Sequence, residues 1–226
     1  MLSQLSNLRY EKKFIAQGFT LEEVLARVRR HPAAFQEAYP PRVVNNIYLD
    51  SPTRRDYHAH INGAADRTKT RVRWYGPQFE AAEQPMLERK LKRGMVSGKE
   101  AYALPRFFVN GGCLRCRLGA AFAASLLPPM LRSALKHMEP ALLNRYQRHY
   151  FLSRDGKFRL TVDWHLQFAG VPQNHRQATD SLRPVTTPII ELKFRPEFAQ
   201  DAGTVTNALP FRVTRFSKYV AGMQHI

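Results

Sequence analysis

The chain is short of the features that mark several protein classes. Only two cysteines occur in 226 residues, Cys113 and Cys116, so a framework of disulfides is excluded and a reducing compartment fits. The longest apolar run, Leu118 to Leu131, is fourteen residues and is broken by Pro128-Pro129, too short and interrupted to cross a bilayer. Met1 to Asn7 lacks the basic and apolar regions of a signal peptide, so the expectation is a soluble cytoplasmic protein. No repeat, low-complexity tract or Gly/Ser linker interrupts the chain, which reads as one domain over residues 1–226. Acidic residues are also scarce: 18 Asp and Glu face 35 Lys and Arg, a net charge of +17. Such an excess either keeps a surface soluble or meets a polyanion, and a phosphate-rich partner is the first expectation.

The remaining composition is globular, 44% apolar and 23% charged. Thr20 and Glu23 form a capping box ahead of Leu21, Val24, Leu25 and Val28, predicting a helix over 20–30 that stops at His31-Pro32. A second helical region covers 119–138, split or kinked at the two prolines, and another helix is expected to start near Pro140. Elsewhere the period is two. Strands are expected over 8–15, 43–50, 67–75, 86–92, 145–153, 157–168, 189–195 and 211–216, with a hairpin turn at Asp155-Gly156.

Residues two apart on a strand share a face, and here the shared sets are charged. They are Arg9, Glu11 and Lys13; Arg67, Lys69, Arg71, Arg73 and Tyr75; Glu88, Lys90 and Lys92; Arg159, Thr161 and Asp163; and Glu191, Lys193 and Arg195. A single strand of this kind is ordinarily one wet face of an antiparallel sheet. Five in phase are better explained by a closed barrel with apolar outer faces under helices and charged faces lining a lumen. A lumen so basic must hold water, counter-ions or an anionic ligand. Phosphate chains suit Arg forks and Lys point charges, and the few carboxylates are then left for a hard divalent ion.

Several features are set aside. Cys113-Leu114-Arg115-Cys116 has no second pair to complete a zinc site and reads as structural thiols near a loop. His58 and His60 read as solvated loop residues, Gly111-Gly112 as a turn, and Arg27, Arg29 and Arg30 as a wet helix face. Aromatics fall opposite the charges instead of among them, so no base-stacking nucleic-acid surface is expected.

The order Arg9-Tyr10-Glu11-Lys12-Lys13, Tyr48-Leu49-Asp50-Ser51, Arg71-Val72-Arg73, Glu88-Arg89-Lys90, Arg145 to Arg148, Arg159 to Asp163, Glu191-Leu192-Lys193 and Phe216-Ser217-Lys218-Tyr219 resembles the VTC domain. That domain is the polyphosphate polymerase branch of the CYTH-like triphosphate tunnel metalloenzymes, and the resemblance spans about residues 9 to 222. It implies an α+β fold, an eight-stranded antiparallel β-barrel with packing helices outside. Carried over by position, Arg71, Arg73, Lys90, Arg148, Arg159 and Lys218 would act on the transferring phosphates. Arg9, Lys13, Tyr48, Lys69, Lys92, Lys193 and Ser217 would bind the substrate, while Lys99 has no partner assigned by its spacing. Glu191 would be the main ligand to Mn²⁺ or Mg²⁺, helped by Glu11, Glu88 and Asp163. The implied partners are ATP and polyphosphate, with a separate membrane partner left open. The implied activity is transfer of the ATP γ-phosphate to a growing chain, the alternatives being a triphosphatase of the same fold or a non-catalytic binder. Nothing in the chain resembles the phosphate-sensing or membrane segments of the eukaryotic version.

Overall fold

The computed structural model describes residues 9–77, 80–93, 96–110, 112–171 and 183–226. Met1 to Asn7 and Gly111 lie outside them. In chain order the elements are β1 (Tyr10–Ile15), α1 (Leu21–Arg29), β2 (Gln36–Asp50), α2 (Arg55–Ile61), β3 (Arg67–Tyr75), β4 (Ala81–Ala82), β5 (Met86–Arg93), β6 (Val96–Ala103), β7 (Phe107–Phe108) and α3 (Leu114–Ala123). There follow α4 (Pro129–Lys136), β8 (Glu139–Leu152), β9 (Phe158–Ala169), β10 (Arg183–Val185), β11 (Ile189–Phe194), α5 (Asp201–Asn207), β12 (Val213–Thr214) and α6 (Lys218–His225). This is an α+β protein.

All eight expected strands form, within a sheet of ten rather than eight. The order is β12-β1-β11-β9-β8-β2-β3-β5-β6 with β10 on β9, and every pairing whose register is described is antiparallel. β4 and β7 make a separate two-stranded sheet. The additional members are edge pieces. β6 reads Val-Ser-Gly-Lys-Glu-Ala-Tyr-Ala, with no clean alternation, and owes its conformation to pairing with β5. The expected closed barrel is corrected too: among the described residues no ladder joins β12 to β6, and β12 offers only two residues for one.

The chain divides into two compact units, each assembled from three stretches of sequence. One unit comprises 1–42, 146–166 and 185–216. Its core sets Phe14, Leu160, Ile190 and Leu192 against Val24 and Val28 of α1 and Ala202 and Val205 of α5. α1 starts as the capping box requires, since Thr20 Oγ1 accepts from Glu23 N at 3.2 Å and Glu23 Oε2 accepts from Thr20 N at 2.8 Å. His31, which follows the helix, is buried; its Nδ1 accepts from Ala33 N, so Nε2 carries the proton and donates to Val205 O at 2.9 Å.

The other unit comprises 43–145, 167–184 and 217–226. Ile47, Val72, Trp74 and Leu87 pack there with Leu118 of α3 and Leu131 and Leu135 of α4. The prolines split the second helical region as expected, and Pro129 occupies the first turn of α4, where a missing N–H costs nothing. No helix starts at Pro140. That residue is the second of β8, whose Ala141 to Asn144 are buried in succession, and a strand buried on both faces shows no alternation for a sequence to reveal.

Cys113 and Cys116 are bonded to each other, with Cα atoms 5.3 Å apart, and Cys113 is the N-cap of α3. His58 and His60 sit on α2 and not in a loop. That helix is held by a carboxylate outside it: Asp50 accepts from Asp56 N at 3.0 Å and Tyr57 N at 2.9 Å, and from the Tyr219 hydroxyl at 2.6 Å. Burial, then the Asp50 charge, pushes the Tyr219 phenol well above its ordinary range, so it stays a donor.

Gly222 of α6 meets this unit's core edge-on. A Cβ built there would stand 2.4 Å from Leu142 Cδ2 and 2.5 Å from Phe168 Cδ1, both fully buried side chains. Alanine gains about 1 kcal/mol of helix propensity over glycine, while overpacking a filled core costs about 1–3 kcal/mol. Gly222→Ala is therefore expected to lower the urea midpoint despite the better helix former, and an unchanged or raised midpoint would contradict the packing described.

Candidate functional site

Register decides which side chains meet. In the second unit Arg71 stands opposite both Tyr48 and Glu88, Lys69 opposite Lys90, Lys90 opposite Lys99, and Arg73 opposite Asn46. Directly opposed residues share a face, so Lys69, Arg71, Arg73, Glu88, Lys90 and Lys99 form one charged field. Val72, Trp74 and Leu87 turn the other way, into the core.

Glu88 is the anchor of that field. It accepts from Arg71 Nε at 2.8 Å and Nη2 at 2.6 Å, and from Lys99 Nζ at 2.8 Å, with Arg73 Nη1 at 3.6 Å. Burial works to raise its carboxyl, but the three cations override it and hold the group far below the ordinary carboxylate range. Arg73 also donates through Nε to Asn46 Oδ1 at 3.1 Å, and Asn46 donates to Asn144 Oδ1 at 3.3 Å; both amides are fully buried. The guanidiniums are thus oriented by a carboxylate and a buried amide pair. Lys69 Nζ donates to Ser217 Oγ at 2.7 Å, and Ser217 caps α6 by accepting from Val220 N. Lys218 is the first residue of α6 and half-buried. Lys92 stands opposite Arg67. Tyr48 is buried with its ring stacked on Tyr219 at 5.0 Å. Burial, followed by the Lys69 charge, lowers His60 to about 4, so its imidazole is neutral near pH 7.

In the first unit Lys13 stands opposite Glu191, and Lys193 opposite both Glu11 and Arg159. The Lys193 ammonium is paired with Glu191 and lies 4.0 Å from Glu11. Lys13 is 2.8 Å from Glu11 and donates to Phe216 O at 2.9 Å. Two carboxylates therefore converge on one lysine. Arg148 makes a bidentate pair with Asp163, Nε to Oδ1 at 2.5 Å and Nη2 to Oδ2 at 2.7 Å, and Asp163 is wholly buried. Burial would discharge this arginine, but Asp163 and then Tyr146 and Glu191 hold it charged. Arg9, Arg159 and Lys193, with Lys157 and Arg195, line a cavity of about 210 Å³ that also has Asp155, Phe194 and Phe198 in its wall.

A divalent ion needs oxygen donors, one or two carboxylates sufficing when phosphates and water complete its shell. Glu11 and Glu191 are brought together around Lys193, and both are ion-paired, Glu11 with Lys13 and Glu191 with Lys193. The Glu88 and Asp163 oxygens are engaged by guanidinium and ammonium groups, and among the described residues no three His, Cys, Asp or Glu cluster as a complete protein cage.

Sequence reasoning missed Asn46, Asn144 and Asp50, and left Lys99 without a partner. The asparagines carry no spacing signal, because they sit among apolar residues on strands 98 positions apart. Lys99 could be found only from the β5–β6 register, whereas Asp50-Ser51-Pro52 ahead of α2 did carry a helix-start signal.

Among known structures, the chain is similar to a Hippeastrum protein described as having a dominant triphosphatase activity, at 14% identity and a TM-score of 0.56, covering 96% of each chain. It is also similar to a candidate adenylate cyclase of Vibrio parahaemolyticus, at 12% identity and a TM-score of 0.52, covering 94% of this chain and 97% of that one. The PH1819 protein of Pyrococcus horikoshii is similar at 11% identity and a TM-score of 0.52, covering 97% and 100%. At such identities the likeness concerns the fold. No curated protein matches the sequence. The model of the VTC domain, however, matches residues 8–226, and with nearly the whole chain accounted for in this way, the protein belongs to the VTC domain family.

Proposed function

We propose that the protein transfers the γ-phosphate of ATP to a growing polyphosphate chain. Family membership and the likeness to a protein with triphosphatase activity support a triphosphate- or polyphosphate-related function. The observation that carries the reading is the face formed by Lys69, Arg71, Arg73, Lys90 and Lys99 around the single carboxylate of Glu88. Five cations to one anion on adjoining strands call for an anionic ligand with closely spaced charges.

The chemistry asks little of the side chains beyond placement. The terminal oxygen of the phosphate chain, already anionic, attacks the γ-phosphorus in line. The bond from that phosphorus to the β,γ-bridging oxygen breaks, and ADP leaves with the electron pair. No proton need be removed, which suits a site whose titratable groups are guanidinium, ammonium and ion-paired carboxylate. Arg71, Arg73 and Lys90 clamp phosphoryl oxygens, with Lys69 and Lys218 beside Ser217 on the same unit; Arg148, Arg159, Lys193, Lys13 and Arg9 serve phosphates on the other. Glu191 and Glu11 are the residues that would hold Mn²⁺ or Mg²⁺, which when bound neutralises phosphate oxygens. Hydrolysis of the same donor is the second reading, favoured by the activity described for the Hippeastrum protein.

Three measurements test this. Incubation with ATP and Mn²⁺ is expected to yield long phosphate chains resolved on a gel; free phosphate alone would mean hydrolysis, and no turnover would end the enzyme reading. Arg71→Ala is expected to lower turnover by about 10²-fold or more; unchanged turnover would remove Arg71 from the clamp. The third concerns Glu88. Its folded-state carboxyl is depressed, so its stabilisation is complete above the unfolded-chain value near 4.5 and is lost as pH falls below that. Glu88→Gln should therefore be less stable than the parent at neutral pH, with the gap closing steadily below about pH 4.5. A gap independent of pH would show that the ion cluster is not what Glu88 supplies.

A further inference from the structure

The fourteen-residue apolar run becomes the end of α3, the connection and the start of α4, and the proposed phosphoryl transfer makes no use of it. Leu126 is 99% exposed and Met130 84%, the two most exposed large apolar side chains among the described residues. Their exposure is built into a held turn. Ser125 and Leu127 on either side of Leu126 are buried, Ser125 Oγ donates to Ala121 O at 2.6 Å, and Leu127 N donates to Ser125 O at 2.9 Å. The turn leaves its largest apolar groups pointing into water.

The stretch of chain that carries this tip has one sign of charge. Between Glu100 and Glu139 the chain has five Lys or Arg and no Asp or Glu. Arg132 and Lys136 of α4 are exposed, and Arg132 reaches back to donate to Ser125 O at 3.1 Å beside the tip. No helix among the described residues is long and apolar enough to cross a membrane. An apolar tip followed by a helix with exposed cations, in a stretch of chain without an acid, matches the interface of an anionic bilayer, where side chains enter the acyl boundary and cations meet headgroup phosphates. A protein partner of ordinary mixed charge gives no reason for acids to be missing over this stretch.

We propose that the α3–α4 tip is a peripheral membrane-binding site for anionic phospholipid, with Leu126 and Met130 inserting and Arg132 and Lys136 contacting headgroups. The test is sedimentation of the full chain with phosphatidylcholine vesicles with and without about 30 mol % phosphatidylglycerol, at roughly 0.1 M salt. The parent should partition onto the anionic vesicles, and Leu126→Ser with Met130→Ser should cut that partition about tenfold or more. Arg132→Glu with Lys136→Glu should do the same, and added tripolyphosphate should leave binding in place. Because Leu126 and Met130 lie outside both the core and the charged faces, the double serine variant should keep its unfolding midpoint and its turnover. Leu126→Trp supplies a gain of signal, a blue shift of its emission on the anionic vesicles. Equal binding by parent and double serine variant, complete release by tripolyphosphate, or no binding at all would overturn the site. Self-association lost in the double serine variant, without vesicle binding, would assign the tip to a second copy of the chain and overturn it equally.

Discussion

Like charges two residues apart on neighbouring strands repel, and a sheet accepts them only where something of the opposite sign holds them. Glu88 does this for Arg71, Arg73 and Lys99; Glu11 and Glu191 do it around Lys193, and Asp163 around Arg148. Each carboxylate fixes the direction of cationic side chains that would otherwise sample many rotamers, so their placement is settled within the folded chain. A catalyst that works through position and charge depends on that prior order.

The two units solve one problem with different residues. In each, one strand face is apolar and covered by helices while the other is charged, and the cores share no residue. The second unit adds uncharged support in the Asn46–Asn144 pair and the Asp50 hub. Buried amides and a multiply bonded carboxylate are costly unless fully satisfied, and once satisfied they permit few alternative arrangements. The tip between α3 and α4 departs from this economy, since it exposes apolar surface where the folded chain could have hidden it.

Much of the charged face was legible because the strand period is two and the charges keep phase with it. Arg71, Arg73 and Lys90 were readable in this way, as were Glu191 and Lys193, each set beside an apolar set on the opposite face. The capping box of α1 and the break at Pro128-Pro129 were legible for equally local reasons. What could not be read shares one cause, which is that pairing and packing in the folded chain override the local period. β6 is a strand because β5 pairs with it, and β8 hides its period because both its faces are buried.

The amino-acid order by itself determined the composition of each face, the start of α1, the break at Pro128-Pro129, and the excess of cations over acids, because propensity, capping and period act within a few residues. Only the tertiary structure decided which carboxylates pair with arginines and which with lysines, which amides orient the guanidiniums, that the sheet has ten strands with no closing ladder among the described residues, and that Leu126 and Met130 stand in water. These outcomes depend on register and packing between distant segments, and a sequence carries no local signal for a neighbour brought close only by folding.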